Sequence, residues 1–471
     1  MRKMLNLIVN EYIKIFAKVS TIIMLSAIIV LAVGYNTLMY FQNKTNNIYM
    51  DQTYYGESYD QMIEYEKQGK DPGWEIRVEQ YQFMKDNEIP QYGWRTNAVY
   101  EAFNLKILAS YSDGSEKNTM LSDFEIMKTA ILNNDWRAYL TKQEKTIKED
   151  KDIEQSEKDV QLWTIKYRLD HDVEPEAFYG NNINWKNNLI YEVESNKRFY
   201  NEEMKKPLAE RNQKMLANAN ETVLIGTYRL EHDIRVATQP DNSAQQEYMM
   251  REVDFWNVFQ NSIMLISVIS LLIIIIAGSS VSSEFSAGTV KFLLINPIKR
   301  WKILAAKYIS ILSVAVLMLF IYYVFNVILS GIFFGFGDVG APHLYVSGGA
   351  VHTGSSFLFV AWKYVLGSLG LLTMGTFAFA ISSLVRSSAL SIGLGVFLML
   401  AGNGAVQFLG LGLGVDWARY LIFANTDLNM IKMGATPFLG HTVGFALITI
   451  AVYMAVFLLT AWDGFVRRDI K

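Results

Sequence analysis

The feature that most constrains this chain is a set of long stretches that contain no Asp, Glu, Lys or Arg. A bilayer span needs about 20 apolar residues, and its backbone polar groups must bond within the segment, which favours a helix. Six stretches meet this requirement and are predicted to be transmembrane helices. They are residues 19–41, 255–280, 308–334, 364–385, 388–412 and 442–462.

Charge is divided between two parts of the chain. Residues 43–254 contain about 39 acidic and about 27 basic residues, whereas the remainder contains about 7 and about 16. The overall net charge of −3 therefore hides an acidic polar region joined to a basic apolar one. This pattern is typical of a soluble domain inserted into a membrane protein.

Lys and Arg near the ends of the six stretches set the expected orientation. They collect before the first stretch, between the second and third, between the fourth and fifth, and after the sixth. If the helices alternate in direction, all four places lie on one side, which the positive-inside rule makes cytoplasmic. We expect a multi-pass protein of the bacterial plasma membrane, with both termini cytoplasmic and residues 42–254 outside.

The predicted fold is an all-α integral membrane protein. Residues 1–18 form an amphipathic pattern that predicts a helix lying in the cytoplasmic interface, and the less favoured alternative is the first turns of a long span. Residues 19–41 are the first transmembrane helix, 42–254 a mostly helical extracytoplasmic domain, and 255–471 the remaining five helices. The chain contains no cysteine, which excludes disulfides, thiolate metal sites and cysteine nucleophiles.

Within the polar region, the charged stretch 141–168 is predicted to be one solvated helix with a narrow apolar stripe. A second helical run covers 192–219 and is interrupted at Pro207. The glycine-rich loop 335–356, between the third and fourth spans, is predicted to form short surface turns.

A short repeat occurs in the polar region. The segment from Tyr167 to Val173 recurs, with conservative changes, from Tyr228 to Ile234. The simpler interpretation is two copies of one helix end, each closed by the same local polar contacts. The alternative is a metal or ligand site, for which two His-Asp pairs are weak grounds. Its candidate residues are His171, Asp172, His232 and Asp233.

The segment 281–307, between the second and third spans, is the most informative one for function. Glu284 lies where an apolar helix leaves the bilayer, and Gly288 permits a turn that a Cβ would hinder. A short amphipathic helix is expected to follow and to end at Pro297. Such a helix suits docking in a groove of a partner protein, whereas the simpler interpretation is a basic loop that anchors two spans.

This segment resembles the cytoplasmic motif of ABC-2 transporter permeases, and the six-span layout with a large insert resembles Gram-positive members of that superfamily. The motif runs Glu, Gly-Thr, a leucine-rich stretch, Pro, Arg and Lys. The matching residues are Glu284, Gly288, Thr289, Leu293, Leu294, Pro297, Arg300 and Lys307.

The resemblance implies a dimer of like or similar permeases that binds two copies of a cytoplasmic ATPase subunit. The segment 284–300 would be the coupling helix, and the motif residues Glu284, Gly288, Thr289, Pro297, Arg300 and Lys307 would transmit the movement of the ATPase. ATP and Mg²⁺ would bind the partner. This chain has no G-x-x-x-x-G-K-[ST] sequence, so we expect neither enzymatic activity nor a cofactor of its own.

The fifth span contains two strongly polar residues, Asn403 and Gln407. Intramembrane polar groups indicate either a substrate pathway or a hydrogen bond between helices. The alternatives to an exporter are an ion-coupled transporter, which usually needs carboxylates inside the spans, and a sensor or receptor with an outer ligand-binding domain. We expect peptide or amphipathic cargo and no nucleic-acid partner. The acidic region either attracts cationic peptides through its long-range field or only keeps the domain soluble.

Overall fold

The computed structural model describes residues 2–52, 58–176, 184–239, 253–289, 298–385, 387–433, 436–438 and 440–467. The helices before and within the polar region are α1 (Arg2–Phe16), α2 (Val19–Gln52), α3 (Tyr59–Gly69), α4 (Trp74–Asp86), α5 (Trp94–Ser110), α6 (Gly114–Leu132), α7 (Trp136–Glu149), α8 (Gln155–His171), α9 (Trp185–Lys205) and α10 (Gln213–Glu231). The later elements are α11 (Phe255–Asn261), α12 (Ile266–Ser280), α13 (Ser282–Ser286), α14 (Arg300–Phe334), β1 (Pro342–Ser347), β2 (Ala350–Ser355), α15 (Ser356–Leu384), α16 (Ser388–Gln407), α17 (Leu428–Met433) and α18 (Val443–Trp462).

Six helical stretches are long and apolar enough to cross a membrane, as the sequence predicts. They are Val19–Lys44, Phe255–Ser280, Arg300–Phe334, Ser356–Leu384, Ser388–Gly412 and Val443–Arg467. The third and fourth begin earlier than predicted because Lys307 and Lys363 do not mark helix ends. Both lysines are buried inside the helices, at 2% and 7% exposure.

The centre of the membrane-spanning bundle is α12, which packs against α15 and α16 through small residues. A Cβ added at Gly375 of α15 would lie 2.9 Å from Ile273, and one at Gly395 of α16 would lie 2.8 Å from Ile274. Glycine therefore lets the three backbones approach closely, which is how apolar helices gain packing energy when lipid competes equally for apolar contact.

The polar region consists of α3 to α10, which bury their own apolar clusters. The prediction of one helix over 141–168 is wrong, since α7 ends at Glu149 and α8 begins at Gln155. The intervening residues are mostly charged and Asp150 is extended, so a continuous helix there would bury almost nothing. The interruption at Pro207 is confirmed, because α9 ends at Lys205 and α10 starts at Gln213.

The loop predicted to form surface turns contains an antiparallel hairpin of β1 and β2, so the fold is not purely helical. Gly348 and Gly349 both have positive φ angles, 60° and 81°, which a tight two-residue hairpin turn requires. Thr238, which lies in the polar region after α10, pairs with His343 of β1. The His343 ring stacks on Phe359 of α15, with 3.7 Å between ring centroids. The hairpin thus joins the polar region to the bundle.

A substitution at Gly370 of α15 tests how closely the helices of the bundle are packed. A Cβ there would clash with the backbone carbonyl oxygen of Thr426. We expect Gly370→Ala to lower the free energy of unfolding by about 1–3 kcal/mol, the usual cost of overpacking. The measurement is thermal unfolding in detergent. Gly444→Ala in α18 is the matched control, since a Cβ there meets nothing within 4 Å, and equal melting temperatures for the two variants would contradict the packing.

Candidate functional site

The second span is broken just before the predicted motif. Helix α12 ends at Ser280, and α13 begins at Ser282. The backbone N–H groups of Val281 and Ser282 donate to the Ser382 hydroxyl of α15, at 3.2 Å and 3.0 Å. The Ser282 hydroxyl lies 3.0 Å from that of Ser388 at the start of α16. The break is therefore held by polar contacts to α15 and α16 and its backbone donors are satisfied.

Glu284 of α13 is the meeting point of three elements. Its carboxylate accepts hydrogen bonds from Lys14 Nζ of α1 at 2.9 Å and from Lys307 Nζ of α14 at 3.3 Å. The Thr289 hydroxyl donates to the other carboxylate oxygen. The Glu284 side chain is only 13% exposed, so it faces its own chain and not an open surface.

A second carboxylate completes the group. Lys307 Nζ lies 2.8 Å from Glu11 Oε2 of α1, and Lys14 Nζ lies 3.4 Å from Glu11 Oε1. We call Glu11, Lys14, Glu284 and Lys307 the charge cluster. Its two positive and two negative charges balance, which a 2% exposed lysine requires because a buried unpaired charge is strongly unfavourable.

Helix α1 is held against α14 by further contacts. The Tyr12 hydroxyl donates to the Ser313 hydroxyl, and the Ser310 hydroxyl donates to the Ile8 carbonyl at 3.5 Å. Together with the charge cluster, these contacts join α1, α13 and about the first four turns of α14 into one unit.

The charges within the cluster shift the pKa values of Glu284 and Lys14, which lie outside the membrane spans. Burial alone would raise the pKa of Glu284. Hydrogen bonds from Thr289 and Lys14, and the charges of Lys307 and Lys14, instead lower this pKa from 4.5 to about 2. Burial likewise opposes the charge of Lys14, but its contacts with Glu284 and Glu11 raise its pKa. Both groups are therefore charged near neutral pH.

The remaining motif residues lie around the cluster. Gly288 has a φ of 70° and turns the chain directly after α13. Gly288 and Thr289 are exposed, and Arg300 begins α14. The predicted amphipathic helix and Pro297 lie at 290–297, outside the described residues. The structure thus brings Glu284, Thr289 and Lys307 together and leaves Gly288 at an exposed turn.

The part that Glu11 and Lys14 play was not predicted, because residues 1–18 were interpreted only as an amphipathic helix at the membrane interface. A signal was present, since Glu11 is the only acidic residue among the first 50. A single carboxylate in an otherwise basic helix at the membrane interface is expected to pair with a lysine that lies a few residues inside an apolar span. In this chain that lysine is Lys307.

The fifth-span residues Asn403 and Gln407 do not point into the bundle. Both side chains are exposed on α16, and neither has a hydrogen-bond partner within the described part of the chain. Among the residues that the structure describes, they therefore form no hydrogen bond between two helices.

The two repeat copies are helix ends, as the simpler interpretation predicted. Asp172 and Asp233 follow α8 and α10 in the left-handed conformation, with φ of 57° and 53°. The rings of His171 and His232 stack on the Tyr side chains four residues earlier, with centroids 4.1 Å and 3.9 Å apart.

The aspartates of the repeat are used in ion pairs. Asp172 pairs with Arg137, and Asp233 Oδ1 lies 2.6 Å from Lys186 Nζ. Over the described ranges, no group of three or more His, Asp or Glu side chains is arranged to hold a metal ion. The geometry therefore favours the structural interpretation of the repeat.

The six long apolar helices define a mostly helical protein with a membrane location. A profile described as "Protein of unknown function (DUF2705)" matches residues 236–471, and the chain belongs to this family. "Uncharacterized protein YhcI" of Bacillus subtilis (strain 168) is 33% identical over 291 residues, which are 61% of this chain and 85% of that protein. "Uncharacterized membrane protein YdbK" of the same organism is 31% identical over 203 residues, which are 42% and 77%.

A double-mutant cycle tests the charge cluster. Glu11→Gln and Lys307→Met should each destabilise the protein, by roughly 3–5 kcal/mol if the buried partner stays charged. The double variant should lose clearly less than the sum, because neither group is then left unpaired. The measurement is unfolding in detergent. Asp463→Asn is the control, since its pair with Arg467 at 3.6 Å is exposed and worth about 1 kcal/mol or less. Additive losses for Glu11 and Lys307 would contradict their pairing.

The lowered pKa of Glu284 predicts a pH dependence. A carboxyl group whose pKa falls on folding stabilises the protein above its unfolded value of 4.5, and this stabilisation is lost as the pH drops towards about 2. We expect the difference in melting temperature between wild type and Glu284→Gln to be constant from neutral pH to about pH 5 and to shrink below it. A difference that already changes above pH 5 would be inconsistent with this environment.

Proposed function

We propose that this chain is the transmembrane permease subunit of an ATP-driven exporter, of the ABC-2 type, whose ATP is hydrolysed by separate cytoplasmic subunits. The observation that supports this best is the charge cluster, which ties the turn after α13 to both α1 and α14. A segment that receives force from a partner must be joined stiffly to the spans, and buried ion pairs provide such a joint.

The proposed mechanism has three steps within this chain. The residues from Gly288 to Arg300 dock on the ATPase, and closure of the ATPase pair displaces them. The charge cluster passes this displacement to α1 and α14 as one unit. The break at Val281, held by Ser382, passes it to α12, α15 and α16, which then repack between two states.

The proposed orientation places the charge cluster at the cytoplasmic side of the membrane and the hairpin at the outer side. The distribution of Lys and Arg supports it. Both termini are then cytoplasmic, and the polar region from α3 to α10 is extracytoplasmic. We propose peptide or amphipathic cargo, which the net charge of about −12 over residues 43–254 favours if the cargo is cationic.

An ion-coupled transporter is less well supported by the residues in the spans. Within the six candidate spans, Asp463 at the end of the last one is the only carboxylate. Proton and sodium relays usually depend on carboxylates inside the membrane. The buried Lys307 is paired with Glu11 and Glu284, so it is not a free carrier of protons.

Purification of this chain from the membranes of its own organism, with a search for a co-purifying P-loop ATPase, tests the proposal. The two proteins should co-purify from membranes, and Arg300→Glu should abolish that association while membrane insertion is retained. Arg419→Glu, before the last span, is the matched charge reversal and should leave association unchanged. Undiminished association of the Arg300 variant, or no association of the wild type, would contradict the proposed docking.

A further inference from the structure

The connection between the fifth and sixth spans, residues 413–442, is folded around one buried asparagine. The side-chain NH2 group of Asn425 donates to the backbone carbonyls of Arg419 and Leu421, both at 2.8 Å. Its side-chain oxygen lies 2.9 Å from Nε2 of His441. Because the Asn425 nitrogen donates twice, the oxygen is an acceptor, and Nε2 of His441 carries a proton. The connection thus fixes the position of the Arg419 backbone and the tautomer of the neutral His441 ring.

Two polar atoms of this connection are buried without a partner. The His441 side chain is only 8% exposed, and its Nδ1 atom has no hydrogen-bond partner among the residues that the structure describes. The same is true of the buried Nε–H group of Arg419. Native proteins rarely leave buried polar atoms unsatisfied, so each of these atoms indicates a water, ion or ligand that completes it.

The two unsatisfied groups border the same aromatic ring. The guanidinium carbon of Arg419 lies 5.9 Å from the ring centroid of Phe445, and the ring centroid of His441 lies 5.5 Å from it. Tyr420 flanks the guanidinium from another side, with its ring centroid 5.2 Å away. Burial and the nearby charge of Arg419 lower the pKa of His441. The guanidinium and the imidazole are therefore neighbours in one aromatic-lined recess.

The charge of Arg419 favours an anion over a water molecule in this recess. Within the described ranges, Arg419 forms no ion pair, although its Nε atom is buried. A water molecule would satisfy both unpaired atoms but would leave this charge unbalanced, whereas an anion would do both. Guanidinium groups match phosphate and carboxylate groups best, because their donors are arranged as a planar fork.

The depth of the recess in the bilayer indicates which anion is present. The fifth span, Ser388–Gly412, has 25 residues and is about 37 Å long, somewhat longer than a hydrocarbon core of about 30 Å. The residues after it therefore lie among the lipid headgroups, where exposed Trp417 and Tyr420 are typical. Since Ser388 lies beside the break of the second span, the recess is at the opposite end of the bundle from the charge cluster.

We propose that Arg419 and His441 bind the phosphodiester headgroup of an anionic phospholipid from the adjoining leaflet. The phosphate accepts hydrogen bonds from Arg419 Nε–H and from His441 Nδ1–H. The second bond requires a proton on Nδ1, because Nε2 already donates to Asn425. The negative charge of the phosphate favours this protonated imidazole, so the lipid binds together with one proton from water. The inference needs neither an ATPase nor a cargo and is therefore independent of the proposed function.

Titration of the delipidated full-length protein with dihexanoyl phosphatidylglycerol, a soluble anionic phospholipid, tests the site. The dissociation constant is obtained in nonionic detergent from the rise in melting temperature. Arg419→Gln removes the charge, and His441→Gln removes Nδ1 while its amide can still donate to Asn425. Each should raise the dissociation constant by about 10- to 100-fold, as expected for the loss of a hydrogen bond to a charged group. Arg467→Gln is the matched control and should leave it unchanged, since Arg467 is exposed and pairs with Asp463.

The proton gives a second readout that a purely structural role of His441 would not change. A phosphodiester keeps its charge near neutral pH, whereas the lowered pKa of His441 leaves the free ring neutral above its usual value of 6.5. Arg419 is the charged group beside the ring, and its other neighbours Asn425, Phe438 and Phe445 are uncharged. The wild-type dissociation constant should rise by up to about tenfold per pH unit above pH 6.5. That of His441→Gln should not depend on pH.

Two further probes identify the source of the anion. Dihexanoyl phosphatidylcholine should bind more weakly, because its choline brings a second positive charge close to Arg419. Inorganic phosphate should also bind more weakly, because it has no acyl chains. Equal or tighter binding of either probe, or an unchanged affinity of Arg419→Gln for phosphatidylglycerol, would overturn the inference. If His441→Gln does not fold, Arg419→Gln still decides, since Asn425 contacts only the backbone of Arg419.

Discussion

The structure depends most on how the positive charge of Lys307 is accommodated inside an apolar bundle. A buried ammonium without a counter-charge would cost far more than the packing around it supplies. Glu11 and Glu284 supply the counter-charges, and each comes from a different segment of the chain. The position of α1 and the direction in which the chain leaves α12 are thereby tied to one site on α14.

This constraint connects the fold to the proposed function. Lipid provides no hydrophobic drive for the spans to associate, so polar contacts and small residues decide their arrangement. Near Glu284 the polar contacts are ion pairs and hydrogen bonds of serine hydroxyls. In the centre of the bundle, the small residues that allow close packing are glycines of α15 and α16. A displacement of the turn after α13 therefore reaches the bundle through stiff, directional contacts at one end and through close packing further along.

Much of the fold could be predicted from the sequence because the bilayer imposes a simple rule. Uncharged stretches of sufficient length must be helices, and all six are found. The starts of α14 and α15 could not be placed, because burial of Lys307 and Lys363 depends on tertiary contacts. The hairpin at 342–355 was missed because its turn signal, Gly348-Gly349, lies in a loop rich in glycine. In the candidate site, Glu284 and Lys307 could be predicted from the motif. Glu11 and Lys14 could not, because they lie about 300 residues from Lys307 in the sequence.

In the proposed mechanism, residues 281–307 face the cytosol and pass the movement of a nucleotide-driven partner to the spans. Single cysteines at Ala287 and Ala350, both exposed alanines at opposite ends of the bundle, test it most directly. In intact cells, a membrane-impermeant maleimide should label Ala350→Cys and should label Ala287→Cys only after permeabilisation. Labelling of Ala287→Cys in intact cells would contradict both the orientation and the proposed docking of an ATPase.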